Sequence, residues 1–212
     1  MATLTSYLTT TRRLLRDAAA DFWQDGELTD YINSARQRVV RDSGCKRMLQ
    51  SYTLPANTAT VLYTALPQAG RTIDIVNINV LWATNNLPPL SRLPWTAFNT
   101  WIRQVPAQRR VPGFYSIYGG NTIYFGPVPD IDYALELDTV VLPVDLTSAA
   151  PTEADIPHPF IDPVPYYAAH LAQYNQQAYD KAEIMKQEYL RQVLSSLSAS
   201  MTRSTTYPYR RP

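Results

Sequence analysis

Phe114-Tyr115-Ser116-Ile117-Tyr118, Gly119-Gly120-Asn121, Thr122-Ile123-Tyr124-Phe125 reads as a β-hairpin. Two runs of aromatic and β-branched residues flank a centre of glycine and asparagine, which tolerate the positive φ angles that tight hairpin turns demand. Further short β-rich runs, separated by Pro, Gly and Asn, lie at 48 to 54, 59 to 64, 72 to 82 and 133 to 141. In the run from 72 to 82, strict alternation puts Ile73, Ile75, Asn77 and Asn79 on one face and Asp74, Val76, Ile78, Val80 and Trp82 on the other. Between the runs, Trp95, Phe98, Trp101 and Ile102 recur at helical spacing after Pro94, predicting a short helix from Trp95 to Gln104 that crosses a sheet.

On either side of this β-rich centre the period becomes 3.6. Leu4, Leu8, Leu15, Ala18 and Phe22 predict one amphipathic helix, and Leu28, Tyr31, Ile32, Ala35 and Val39 a second, with Asp25 as N-cap and Gly44 as C-cap. So short a turn predicts an antiparallel pair. Pro151, Pro157, Pro159, Pro163 and Pro165 punctuate a segment expected to run extended over the surface. A long helix follows, with Tyr167, Leu171, Tyr174, Ala178, Ala182, Met185, Tyr189 and Val193 in one stripe, and then a polar tail with no apolar period. The fold class is therefore α+β: a helical hairpin (1–47), an inserted antiparallel β module with a short helix (48–150), a Pro-rich linker (151–165), a C-terminal helix packing on the first two to form a bundle (166–197), and a flexible tail (198–212).

A chain of 212 residues can bury roughly 70% of its unfolded surface without staples. Cys45 is the only cysteine, so neither a disulfide framework nor a cysteine zinc cluster can form. No leader pattern follows Met1 and no segment approaches the ~20 apolar residues of a membrane helix, so neither secretion nor a membrane partner is expected. The net charge is +1, but Asp130, Asp132, Glu136, Asp138, Asp145, Glu153, Asp155 and Asp162 fall in a stretch, 129 to 162, that has no Lys or Arg. The part from 145 to 162 reads most simply as a solvated acidic loop.

The residues of catalysis are sparse. His158 and His170 are the only histidines and neither has metal-ligand spacing. There is no Gly-x-Ser-x-Gly elbow or phosphate loop, and Cys45 sits at the helix end that does not favour a thiolate. The alternating carboxylates Asp130, Asp132, Glu136 and Asp138 have the residue type of a glycosidase pair, but exposed positions on one strand face explain them more simply. Fifteen tyrosines and four tryptophans fit base stacking or carbohydrate binding by residue type, while their positions on element faces fit core packing. For nucleic-acid grip, Arg12, Arg13 and Arg16 form the one compact basic group besides Arg109-Arg110 and the tail. The expectation is a non-enzyme with no catalytic residue, no cofactor and no metal.

The stretch Val111 to Asp130 resembles a recurrent signature of the head-to-tail adaptor (connector, head-completion) proteins of tailed bacteriophages, of the podovirus-like kind. The resemblance rests on Pro112 and Tyr115 in the first strand, the Gly119-Gly120 turn, and the Pro127-Val128-Pro129-Asp130 corner that leads into Tyr133 to Leu137. Trp23, Glu27-Leu28, Asn33-x-Ala35 and Tyr166-Tyr167-Ala168-Ala169 agree with it in order, so the similarity spans about Leu4 to Leu194. It implies a virion neck component made in the host cytoplasm. Identical subunits, usually twelve, would form a ring beneath the portal protein, join a tail or nozzle protein, and let DNA pass through the lumen without specific binding.

On that reading, Asp130, Asp132, Glu136 and Asp138 are candidates for a subunit interface or the lumen wall. Arg203, Tyr207, Tyr209, Arg210 and Arg211 of the tail suit docking onto the portal, with aromatic anchors and bidentate donors. The alternative is a carbohydrate- or receptor-binding β module of a phage tail accessory protein.

Overall fold

The computed structural model describes residues 2–81, 89–104 and 109–204. In chain order the elements are α1 (Leu4–Leu15), α2 (Asp25–Ser43), β1 (Arg47–Leu54), β2 (Thr60–Leu62), a 3-10 turn (Tyr63–Ala65), β3 (Thr72–Leu81), β4 (Ser91–Arg92), α3 (Trp95–Gln104), β5 (Phe114–Tyr118), β6 (Thr122–Gly126), β7 (Tyr133–Val141), α4 (Val164–Asn175) and α5 (Tyr179–Ser204). They form an α+β fold of two compact units. One is Met1–Lys46 with Leu142–Pro212, and the other, inserted between those halves, is Arg47–Val141.

In the helical unit, α1 opens on a capping box in which Thr3 and Ser6 bond reciprocally. It ends at Arg16, whose φ of 59° is left-handed, so it does not run on to Phe22 as the apolar spacing predicts. The cause is Asp17, whose carboxylate accepts the backbone N–H groups of Asp21, Phe22 and Trp23 and so offers the chain an alternative to another helical turn. Asp25 likewise is not the N-cap of α2. Gln24 holds that position, and the Asp25 carboxylate bonds the Arg12 guanidinium at 2.6 Å. Gly44 closes α2 with φ 61° and donates to the Val40 carbonyl, as its sequence position predicts.

The single long C-terminal helix expected from the stripe Tyr167 to Val193 is two helices. Gln177 adopts φ 62° and its N–H bonds the Tyr174 carbonyl, which breaks the ladder between α4 and α5. The helices repack across the break. Ala182, Tyr189 and Val193 of α5 and Ala168, Ala169 and Ala172 of α4 are buried, and the Tyr189 hydroxyl donates to Asp42 of α2 at 2.7 Å. The Pro-rich segment departs from expectation in part: Pro151, Pro157 and His158 are exposed, but the chain between and after them turns inward. Ile156, Phe160 and Val164 are buried, since apolar residues interleave with prolines whose missing N–H needs no partner.

The inserted unit is a sandwich of two sheets, with strand orders β1-β7-β3 and β2-β6-β5-β4. Leu54, Ile75, Ile78, Leu135 and Leu137 of the first sheet share one core with Val61, Tyr115, Ile123 and Phe125 of the second. The faces expected for the run from 72 to 82 are corrected here. Register shifts between Thr72 and Asp74 and between Ile75 and Asn77 insert extra residues, so Ile75, Ile78 and Val80 all point inward while Val76 is exposed. Trp82 lies outside the described residues. The hairpin pairs as expected, Tyr118 opposite Thr122 and Phe114 opposite Gly126, with Gly119 and Gly120 at φ 66° and 76°. Against the outer face of its sheet, α3 packs Trp95, Phe98 and Trp101 onto Phe114, Tyr118 and Tyr124, with centroid separations from 4.2 to 6.2 Å.

Candidate assembly surfaces

The corner that follows the hairpin carries the chain from one sheet of the sandwich to the other, and its polar groups are committed to holding that crossing. The Pro129 carbonyl accepts from the Asn57 N–H at 2.9 Å and the Val128 carbonyl from the Arg110 N–H at 3.0 Å. Asp130 accepts from the Tyr133 hydroxyl at 2.6 Å. That bond holds the Asp130 carboxyl below its ordinary range, and burial together with the same bond pushes the Tyr133 phenol up to about 12. Asp132 accepts from the Ala56 N–H at 2.7 Å. Pro112, Tyr115, Pro127 and Pro129 are buried, whereas Gly119 and Gly120 turn at the surface. Sequence reading passed over Gly126: a Cβ there would stand 2.5 Å from the Phe114 ring, so only glycine lets that ring cross the paired strand.

The four carboxylates singled out by sequence do not converge. Asp130 and Asp132 belong to the corner, while Glu136 and Asp138 project from β7 on the sheet face away from the core. Glu136 accepts from Asn79 at 3.3 Å, and Asp138 is clamped by the Arg47 guanidinium, with Nε at 3.0 Å. No grouping of His, Cys, Asp or Glu that could hold a metal occurs among the described residues.

The helical unit contains a polar cluster that sequence reading assigned to solvated loop. Glu153 is fully buried, and Arg36 reaches it with two bonds, Nε to Oε2 at 2.6 Å and Nη2 to Oε1 at 2.9 Å. Tyr7 donates to the same carboxylate at 3.2 Å, and the Asp155 and Ile156 N–H groups complete it at 3.0 and 3.1 Å. Burial by itself raises a carboxyl pKa, but the guanidinium and these N–H donors outweigh it, and Glu153 is held below the usual carboxylate range. Asn33 exchanges both bonds with the Leu146 backbone, and Lys46 pairs with Asp155 at 2.5 Å. Together these tie the segment 144–156 onto α1 and α2. The pairing spans 117 residues, so no local spacing could signal it.

Other candidates also find structural partners. Arg12 is 8% exposed and divides its guanidinium among Asp17, Asp25 and the Trp23 carbonyl, which removes it from the basic group expected with Arg13 and Arg16. Nδ1 of His170 lies 2.9 Å from the Ala182 carbonyl, and His158 is exposed beside Asp162. Burial raises the Cys45 thiol. Of the tail residues, Arg203 falls in the last turn of α5; Tyr207, Tyr209, Arg210 and Arg211 lie outside the described residues.

Two grooves of the helical unit were not anticipated. One, of about 800 Å³, runs between α1, α2 and the loop 145–151; the other, of about 430 Å³, lies between α2 and α4. No helix among the described residues is long and apolar enough to cross a membrane.

A family model described as SU10 adaptor protein matches residues 2–212, and the chain belongs to that family. It is accordingly a structural adaptor protein of a bacteriophage particle. No curated protein compared with the chain matches it.

Proposed function

We propose that the protein is a head-to-tail adaptor: a ring of identical copies, twelve in number, seated beneath the portal protein and joined below to a tail or nozzle protein. The observation that carries this reading is the family match over residues 2–212. DNA passes through the lumen without sequence-specific contact, consistent with a basic group that is broken up by internal pairing of Arg12.

The course of α5 favours a docking role for its end. Lys181, Ile184 and Met185 share a groove with Leu14 and Leu15, whereas Gln192 shares one with Ser6 and Thr10, so α5 runs antiparallel to α1. From Gln192 it continues to Ser204, about 18 Å at 1.5 Å per residue. That length carries the end of α5 beyond the level of Ser6. Many tethered copies of a weakly binding segment act at effective concentrations of about millimolar and hold firmly together. Deleting Ser198 to Pro212 is expected to abolish co-purification with the portal while leaving the melting midpoint of the chain unchanged and taking from its helical circular dichroism only the share of the last turns of α5. Undiminished portal capture by the truncated chain would remove the tail from this role.

A further inference from the structure

The two grooves flanking α2 differ in charge. The larger is rimmed by Asp25, Asp30 and Asp145 over a floor of Leu4, Leu8 and Leu146, and no Lys or Arg lines it. Asp25 is committed to Arg12, and Asp145 accepts a long bond of 3.3 Å from Gln37. Asp30 is exposed and has no ion pair among the described residues. On another side of α2, Ser34, Arg38 and Arg41 stand at i, i+4 and i+7, all exposed, as a ridge along the smaller groove, which no carboxylate lines. Arg38 keeps a partly exposed pair with Asp42, while Arg41 has no ion pair among the described residues. At 100° per residue, the α2 positions lining the groove centre roughly 110° around the helix from the ridge, with Asp30 on the near rim, roughly 50° from it.

Two complementary patches at an angle on one subunit give a heterologous contact, which repeats from copy to copy and closes a ring when the rotation allows. We propose that the Ser34–Arg38–Arg41 ridge of one copy seats in the Asp30/Asp145 groove of the next. This inference rests on the adaptor reading above and names the surfaces by which its copies meet. Arginine suits such a contact, because its planar fork matches a carboxylate bidentately and its aliphatic stem covers an apolar floor such as Leu8 and Leu146. The carboxylates of β7 and the corner are poorer candidates, because Arg47, Tyr133 and the Ala56 N–H already engage Asp138, Asp130 and Asp132. A stable contact buries on the order of 1,000 Å². Ridge and groove form the charged centre that registers it.

The experiment uses the full chain in sedimentation velocity, alone and with its portal, in three forms: wild type, groove-reversed (Asp30→Arg with Asp145→Arg) and ridge-reversed (Arg38→Glu with Arg41→Glu). Thermal melts establish that each is folded. Each reversed form is expected to lose assembly at least tenfold, and an equimolar mixture of the two to regain it, because each Glu ridge then meets an Arg groove and each Arg ridge an Asp groove. Reversed forms that assemble like the wild type, or a folded mixture that stays dispersed, overturn these surfaces and leave the ring reading standing. A wild type that remains a single copy even on the portal overturns the ring reading, and this proposal with it.

Discussion

Glu153 illustrates how much one residue can hold. Its carboxylate satisfies Arg36, which is 1% exposed, and three further donors. Replacing Glu153 with Gln keeps the shape but leaves a buried guanidinium without its counter-charge, a change that costs about 3–5 kcal/mol. The melting midpoint is expected to fall by roughly 6–20 °C. Replacing both partners by apolar residues should cost less than removing either alone. The pH dependence follows from the lowered pKa. Stability from this group is fully present above the ordinary carboxylate value of 4.5 and is lost as the pH falls from there through the lowered folded value. Urea unfolding from pH 7 to 3 should therefore show a steeper loss of stability in the wild type than in Glu153→Gln, which keeps only the share of other lowered carboxyls such as Asp130; identical slopes would contradict this account. In the sequence Glu153 looks like one acid among many in a Pro-rich loop, because its meaning depends on a residue on the other side of the inserted unit.

At the scale of elements, legibility followed the range of the controlling interaction. The hairpin was legible because its turn is decided by Gly119 and Gly120 themselves, and Gly44 ended α2 for the same reason. Faces of β3 were not, since alternation assumes one residue per partner, and the extra residues Ile73 and Val76 invert the pattern twice over. The early stop of α1 depends on an Asp17 carboxylate returning to the backbone, which competes with helix only once Arg16 has turned left-handed. Gly126 belongs to this scale as well. Gly126→Ala places a methyl group against the Phe114 ring and is expected to destabilise the sandwich by about 1–3 kcal/mol, read from thermal melts. A companion Phe114→Leu change should recover part of that loss by vacating the space; no recovery would show that the strain lies elsewhere.

For the molecule as a whole, the 3.6-period ends around a 2-period centre announced helices that close on each other across an insertion, and the helical unit indeed draws on both ends of the chain. The candidate assembly surfaces were less legible. The acidic stretch from 129 to 162 was visible as composition, yet the fold divides it among a corner, a strand face, a buried ion pair and a groove rim. The arginine ridge on α2 was present as an i, i+4, i+7 spacing, but only the packing of α2 against α1 and α4 distinguishes it from the buried Arg36 on the same helix. The measurement that tests the central claim most directly is the light-scattering mass of the purified chain after gel filtration, first alone and then mixed with its portal ring. A closed ring of many copies bound to the portal is the predicted result. A chain that remains a single copy and elutes apart from the portal would contradict the adaptor assignment.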